Sequence, residues 1–191
     1  MRIKLLLICV FLLSYFLNSF ANEEVEKNII KAINLVDFDK AVLDVCNFNY
    51  KYCEILTDEK VYYNLKGNYR LILYVISKVE SNFKYKDGIY DKDDISYYQI
   101  NKRIWNKELL KKLNVGYPYN VIKHDYYKST EVALRIWLVN FSHRVLITKK
   151  LPKILPEFIH PYHKVNSVDV SYLEKVKSEL TDLNLKRRVG L

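Results

Sequence analysis

Beyond residue 21, apolar positions recur three, four and seven residues apart in successive blocks, and no stretch alternates apolar with polar residues long enough to read as a convincing strand. Val25, Ile29, Ala32, Ile33 and Val36 mark a first amphipathic helix, and Val42, Leu43 and Val45 lead into a segment bounded by Cys46 and Cys53. Tyr69, Ile72, Leu73, Ile76 and Val79 mark a second helix, entered after Gly67-Asn68. Trp105, Leu109, Leu110 and Leu113 predict a short third one that Gly116-Tyr117-Pro118 ends. Val132, Ala133, Ile136, Trp137 and Asn140 line a strongly apolar fourth, and Tyr172, Leu173, Val176, Leu180 and Leu183 define the last. Between the second and third helices, Lys84 to Ser96 is too rich in Asp for a core and reads as an ordered loop or a short irregular hairpin. The expected fold class is mainly α, with little or no β.

The first 21 residues break this periodicity. Arg2 and Lys4 precede a continuous apolar run that gives way at Asn18 to Ser19-Phe20-Ala21, small residues bracketing a cleavage point. This reads as a signal peptide over 1–21, which makes the protein exported, periplasmic or otherwise associated with the cell envelope, and in contact with the membrane only transiently. The other reading is an uncleaved anchor, because the run falls only a little short of a bilayer span. Cys9 lies inside the run, not after a small-residue pair, which argues against a lipoprotein. A chain of 191 residues, 50% hydrophobic and 28% charged, without repeats and with four glycines and four prolines, suits one domain. The expected division is a helical extension over 22–64 ahead of a main domain over 65–185.

Loss of Arg2 and Lys4 lowers the formal charge from +9 to +7, so the exported protein stays basic. An anionic partner follows, unless the lysines only solvate the surface. Export puts nucleic acid out of reach and brings cell-wall glycans, with their peptide carboxylates, within it. An oxidising compartment also favours pairing Cys46 with Cys53. On one continuous helix their Cα atoms would lie about 10.5 Å apart, beyond bridging range, so a bond requires the chain to turn within residues 47–52. The alternative is two separate buried thiols.

Glu80 shares the apolar stripe of Leu73 and Ile76 at the C-terminal end of the second helix. Desolvation there, and the negative end of the helix dipole, both disfavour a carboxylate and push its pKa upward, as a general acid near neutral pH requires. The competing reading is a surface glutamate that has rotated into water at a frayed end.

The words around Glu80 carry further information. Val79-Glu80-Ser81-Asn82-Phe83, followed by Asp94-Ile95-Ser96-Tyr97-Tyr98-Gln99-Ile100-Asn101, resembles the motif pair of the soluble lytic transglycosylase family, in which a helix ends in Glu-Ser-x-Phe and a segment ending in Gln-Ile faces it across a cleft. The similarity is greatest to the small exported transglycosylases of secretion and conjugation systems, where an Asp stands five residues before the Gln, as Asp94 does here. Trp105, Leu110, Gly116, an Ala- and Trp-containing helix, Tyr162-His163 and Tyr172-Leu173-Glu174-Lys175-Val176 extend the resemblance over roughly residues 65 to 180.

The resemblance implies a lysozyme-like helical bundle with an active-site cleft, and cleavage of the β-1,4 bond between N-acetylmuramic acid and N-acetylglucosamine with closure of a 1,6-anhydro ring. It makes Glu80 the acid and then the base. Ser81, Tyr98, Gln99, Asn101 and Tyr162 become substrate-binding residues, with Tyr162 also hydrogen-bonding near Glu80. Asp94, Phe83, Ile100 and His163 become supporting ones. Peptidoglycan strands are the implied partner, together with a secretion or conjugation apparatus, and no cofactor or metal is implied. Ser96-Tyr97-Tyr98 depart from the family's Gly-Leu-Met: Ser96 places a Cβ where the backbone needs freedom, and the tyrosines are either packing residues or sugar-stacking platforms. Gln99 and Asn101 have a plainer reading as loop caps. Of the four histidines, His124 and His143 lack partners at ligand spacing, and Pro161 breaks any helix aligning His160 with His163. Two rivals stand beside the transglycosylase. A lysozyme-type hydrolase would need a second carboxylate from Asp87, Asp91, Asp93 or Asp94, and a non-catalytic scaffold would keep only the fold.

Overall fold

A computed structural model describes residues 22–83, 91–164 and 166–181. The expected leader over 1–21, the Asp87 segment and Leu183 lie outside them. The chain runs through α1 (22–35), α2 (Phe38–Phe48), α3 (Tyr50–Leu56), α4 (Glu59–Ser81), the two-residue strands β1 (Asp94–Ile95) and β2 (Ile100–Asn101), α5 (Lys107–Lys112), α6 (Tyr119–His124), α7 (Tyr126–Thr148), α8 (Leu155–Ile159), a 3-10 turn (His160–Tyr162) and α9 (Val170–Leu180). The described protein is therefore mainly helical. Side chains of Asp or Asn open most of these helices: Asp37, Asn49, Asp58, Asn106, Asp125 and Asp169 each accept a backbone N–H from the first turn. Each cap satisfies a donor that has no partner inside its helix.

Helix α7 is the axis of the packing. Every residue from Ser129 to Val139 is buried, so it has no solvent face along that stretch and must be surrounded. Helices α2 and α3 cover one side of it, α4 and the 3-10 turn another. The division expected at residue 64 falls inside α4, and the preceding helices are part of the same core. Asp44 of α2 pairs with Arg135 of α7, the Tyr52 hydroxyl meets His143 Nδ1 at 3.0 Å, and the Tyr74 hydroxyl donates to Glu26 at 2.6 Å. Residues 22–64 are thus a wall of the domain and not an appendage. Leu43, grouped with the apolar positions of its block, is 59% exposed.

Helix α4 starts eight residues before Gly67 instead of after it. Gly67 is exposed within the helix, and a methyl group there would meet nothing within 4 Å. A mid-helix glycine costs about 0.5–1 kcal/mol relative to Ala. Burial of Val61 and Leu65 before it and of Tyr69 and Ile72 after it outweighs that penalty. Asn49 is the residue that lets the cysteines meet. Its extended backbone breaks α2 from α3, bringing the Cα atoms of Cys46 and Cys53 to 4.3 Å in a disulfide. Closing that short loop contributes about 2.5 kcal/mol in the chain-entropy account. Strands β1 and β2 form an antiparallel hairpin with Asp94 opposite Asn101 and Ile95 opposite Ile100. Helices α6 and α8 and the 3-10 turn have no counterpart in the periodicity, since elements this short carry few apolar positions to repeat.

Candidate active site

The last turn of α4 delivers Glu80 into the interior, where only 5% of the residue is exposed. Ser77 and Ser81 flank it on the helix and donate back to the carbonyls of Tyr74 (2.8 Å) and Ser77 (2.9 Å). The hydroxyl proton of Ser81, one of the expected substrate-binding residues, is therefore engaged on its own helix. The helix then stops through two left-handed residues, Asn82 (φ 51°) and Phe83 (φ 56°). Phe83 is buried edge-on to Tyr74, with ring centroids 5.2 Å apart, so the turn that ends α4 is anchored by packing.

Burial pushes the Glu80 carboxyl up to about 8. The Tyr172 hydroxyl of α9 and the charge of Lys175 act in the opposite direction, while the charge of Asp94 adds to the rise. Desolvation is the largest influence, and among the described residues no Lys or Arg forms an ion pair with Glu80. His163, just beyond the 3-10 turn, brings Nδ1 to 3.9 Å from Glu80 Oε1. Its ring lies flat against Tyr172, centroids 4.3 Å apart and planes 7° from parallel. Its other nitrogen faces Asp169 Oδ2 at 3.3 Å. Burial moves the imidazole down from its ordinary value, with Asp169 opposing.

The hairpin brings up the second motif. Ser96 (φ 66°) and Gln99 (φ 47°) both adopt left-handed backbone in the connection between the strands. Ser96 therefore does occupy the conformation that glycine favours, at a cost of roughly 1–2 kcal/mol. Its hydroxyl accepts from the Tyr98 N–H at 3.2 Å, and its carbonyl accepts from Gln99 Nε2 at 3.0 Å. Asn101 Nδ2 donates to Asp94 Oδ1 at 2.8 Å, and Asn101 Oδ1 accepts the N–H groups of Arg103 and Ile104. Asn101, expected to hold sugar, acts in the hairpin as a loop cap, its amide both donating and accepting there. Ile100 is buried beneath the hairpin.

Tyr98 is completely buried, its hydroxyl against Thr130 Oγ1 at 3.1 Å, and Tyr97 stacks on Tyr126 with centroids 5.1 Å apart. Both are packing residues. Tyr98 cannot present a face to sugar, because it is buried against α7. Tyr162 differs from expectation in its partner: its hydroxyl donates to the Tyr98 carbonyl at 2.8 Å, clamping the hairpin to the 3-10 turn. It remains near Glu80, whose charge adds to the strong upward push of burial on the phenol. Asp94 is buried too, which raises its carboxyl, with Asn101 opposing.

Of the carboxylates open to a hydrolase, Asp91 and Asp93 are both engaged by Arg103, Asp93 at 2.8 Å from Nε. Asp94 alone among those described bears electrostatically on Glu80. Among the described residues, no three His, Cys, Asp or Glu side chains converge as they would around a metal ion. The residues missing from the sequence reading are Asp169 and the role of Tyr172. Asp169 carried a signal as a cap ahead of the last helical stripe, and Tyr172 was visible only as a core position of that stripe.

A cavity of about 700 Å³ opens nearby, lined by Arg144, Lys150, Pro161 and Leu173 among others, and by His160 at its edge. Glu80 does not line it, so it is the unmatched buried acid, and not volume, that locates the candidate site. Comparison of the chain with family models, with characterised proteins and with solved structures finds no match.

Proposed function

We propose that this protein is an exported peptidoglycan lytic transglycosylase with a lysozyme-like fold, acting in the periplasm on glycan strands. The observation that carries the reading is a glutamic acid, buried at the end of α4 and pushed to about 8, which keeps its proton at neutral pH. Support comes from its setting: the Glu-Ser-x-Phe turn lies near a hairpin whose Asp94 is felt by Glu80 and whose connection carries Gln99. Protonated Glu80 donates to the glycosidic oxygen between muramoyl and glucosaminyl units. The carboxylate so formed takes the proton from the muramoyl C6 hydroxyl as that oxygen closes onto C1. The acid is thereby restored within one turnover, and no second enzymatic carboxylate is required. Gln99, whose Nε2 donates to the Ser96 carbonyl, is the residue that the resemblance places against a sugar hydroxyl or acetamido group.

Digestion of purified cell-wall sacculi, followed by mass spectrometry of the fragments, tests the assignment. Anhydromuramoyl ends are expected, and Glu80→Gln should lower their rate of formation by about 10²- to 10⁴-fold. Reducing ends that carry water would instead identify a hydrolase, and no cleavage by the unmodified protein would leave the scaffold.

A further inference from the structure

A buried acid must exchange its proton with water through something, and the helix around Glu80 offers no route: Ser77 and Ser81 are turned back onto their own carbonyls. His163 is the titratable group between Glu80 and the surface, with its side chain 29% exposed against 6% for the carboxyl. Its orientation is over-determined. Tyr172 fixes the ring plane by stacking. Asp169 is in turn held by donors, since the Ser171 hydroxyl and the Tyr172 N–H keep its carboxyl far below the usual range. The Asp169 N–H donates to His160 Nε2 at 2.8 Å, which pins the backbone of this segment.

These contacts also choose the tautomer. An Asp169 carboxylate 3.3 Å from Nε2 requires a hydrogen there, so neutral His163 turns the lone pair of Nδ1 toward Glu80. We infer that Asp169, His163 and Glu80 form a proton-sharing chain in which His163 positions the acid proton of Glu80 and exchanges it with solvent. The separation of 3.9 Å is longer than a formed hydrogen bond, and acid–base pairs in sites without substrate are often this loose. When the proton moves, the Glu80 O–H bond breaks and an Nδ1–H bond forms. A neutral pair becomes a carboxylate beside an imidazolium, and that cation lies between Glu80 and Asp169. Release from His163 to water forms hydronium and restores the neutral ring, leaving Glu80 ionised, and the same steps in reverse return a proton to it. The other groups facing the ring are Tyr172 and Lys175 from α9, Lys164 and His160 from its own segment, and Asp94 beyond Glu80. The lysines oppose an imidazolium, so its charge is transient, as a shuttle requires.

The chain itself stands on geometry, while its catalytic consequence rests on the proposed function. Nitrogen NMR of histidine-labelled protein separates the two. His163 should sit in the Nε2–H form, and its ring shifts should show a second inflection near pH 8 that vanishes in Glu80→Gln. Asp169→Asn should abolish the tautomer preference. Ring titrations that are identical with and without the Glu80 carboxyl would overturn the proposal, whatever the enzyme does. On sacculi, His163→Leu should lower kcat about tenfold with KM unchanged and displace the alkaline limb of the pH profile. A limb that stays in place, or an effect confined to KM, would also overturn it. An inactive wild type that still shows the NMR inflection would remove the lytic function and leave the chain standing.

Discussion

Two carboxyl groups of this protein are removed from water to nearly the same degree, Asp44 at 6% exposed and Glu80 at 5%, and they are treated in opposite ways. Asp44 is met on both oxygens. Arg135 donates Nε (3.0 Å) and Nη2 (2.7 Å) to one, and Asn114 donates to the other at 3.1 Å. Glu131, itself bonded by the Tyr117 hydroxyl at 2.9 Å and Lys128 at 3.3 Å, balances the far side of the guanidinium. Among the described residues no guanidinium pairs with Glu80. A phenol and a lysine are set against burial and a neighbouring acid, and burial prevails. A buried carboxyl marks chemistry only where its surroundings leave it unmatched; where donors converge, it marks architecture.

The sharpest way to break this contrast is to strip the partner from the matched group. Arg135→Met should cost about 3–5 kcal/mol by leaving Asp44 buried without its cation, and adding Asp44→Leu should recover much of the loss. Denaturant unfolding of the two single variants and the double one measures this, and equal effects in single and double variants would make Asp44 no different from Glu80. The next largest effect is one of pH. A glutamate in the unfolded chain gives up its proton near 4.5, whereas folded Glu80 keeps it up to about 8. The folded state therefore binds more protons between those values. This part of the stability is complete below about pH 4.5, falls as pH rises and levels off above about 8. At about 1.4 kcal/mol per pH unit, the decline amounts to a few kcal/mol. Unfolding curves across this range should show it in the wild type and not in Glu80→Gln, which should be the more stable protein at pH 9. The smallest effect sharpens the comparison from the other side. Tyr172→Phe removes a phenol that favours the Glu80 carboxylate, so the acid should titrate higher, by an amount equivalent to about 0.5–1.5 kcal/mol. Infrared titration of the carboxyl band reads the shift directly.

Both centres were unequally legible. The direction of the Glu80 shift follows from its place on the Leu73 and Ile76 stripe, because a helical repeat of three and four residues is enough to say which side faces inward. Nothing local announces Asp44, whose partner lies 91 residues away. The hairpin was legible as a turn with a demanding backbone at Ser96, but whether Tyr97 and Tyr98 would face sugar or core depended on Tyr126 and Thr130 of α7. Gly67 misled as a helix boundary, since local propensity of about 1 kcal/mol yields to packing on both sides of it.

Sequence by itself determined the mainly helical character, the turn needed between Cys46 and Cys53, and the inward side of α4. All of these depend on interactions within a few residues, and such interactions repeat with the period of the backbone. Only the tertiary structure decided that residues 22–64 share the core, that Tyr162 clamps the hairpin at the Tyr98 carbonyl, and that His163 reaches Glu80 with Asp169 behind it. Those contacts join helices that the chain visits far apart, and which of them meet is set by how the apolar faces cover α7 and not by any spacing along the chain.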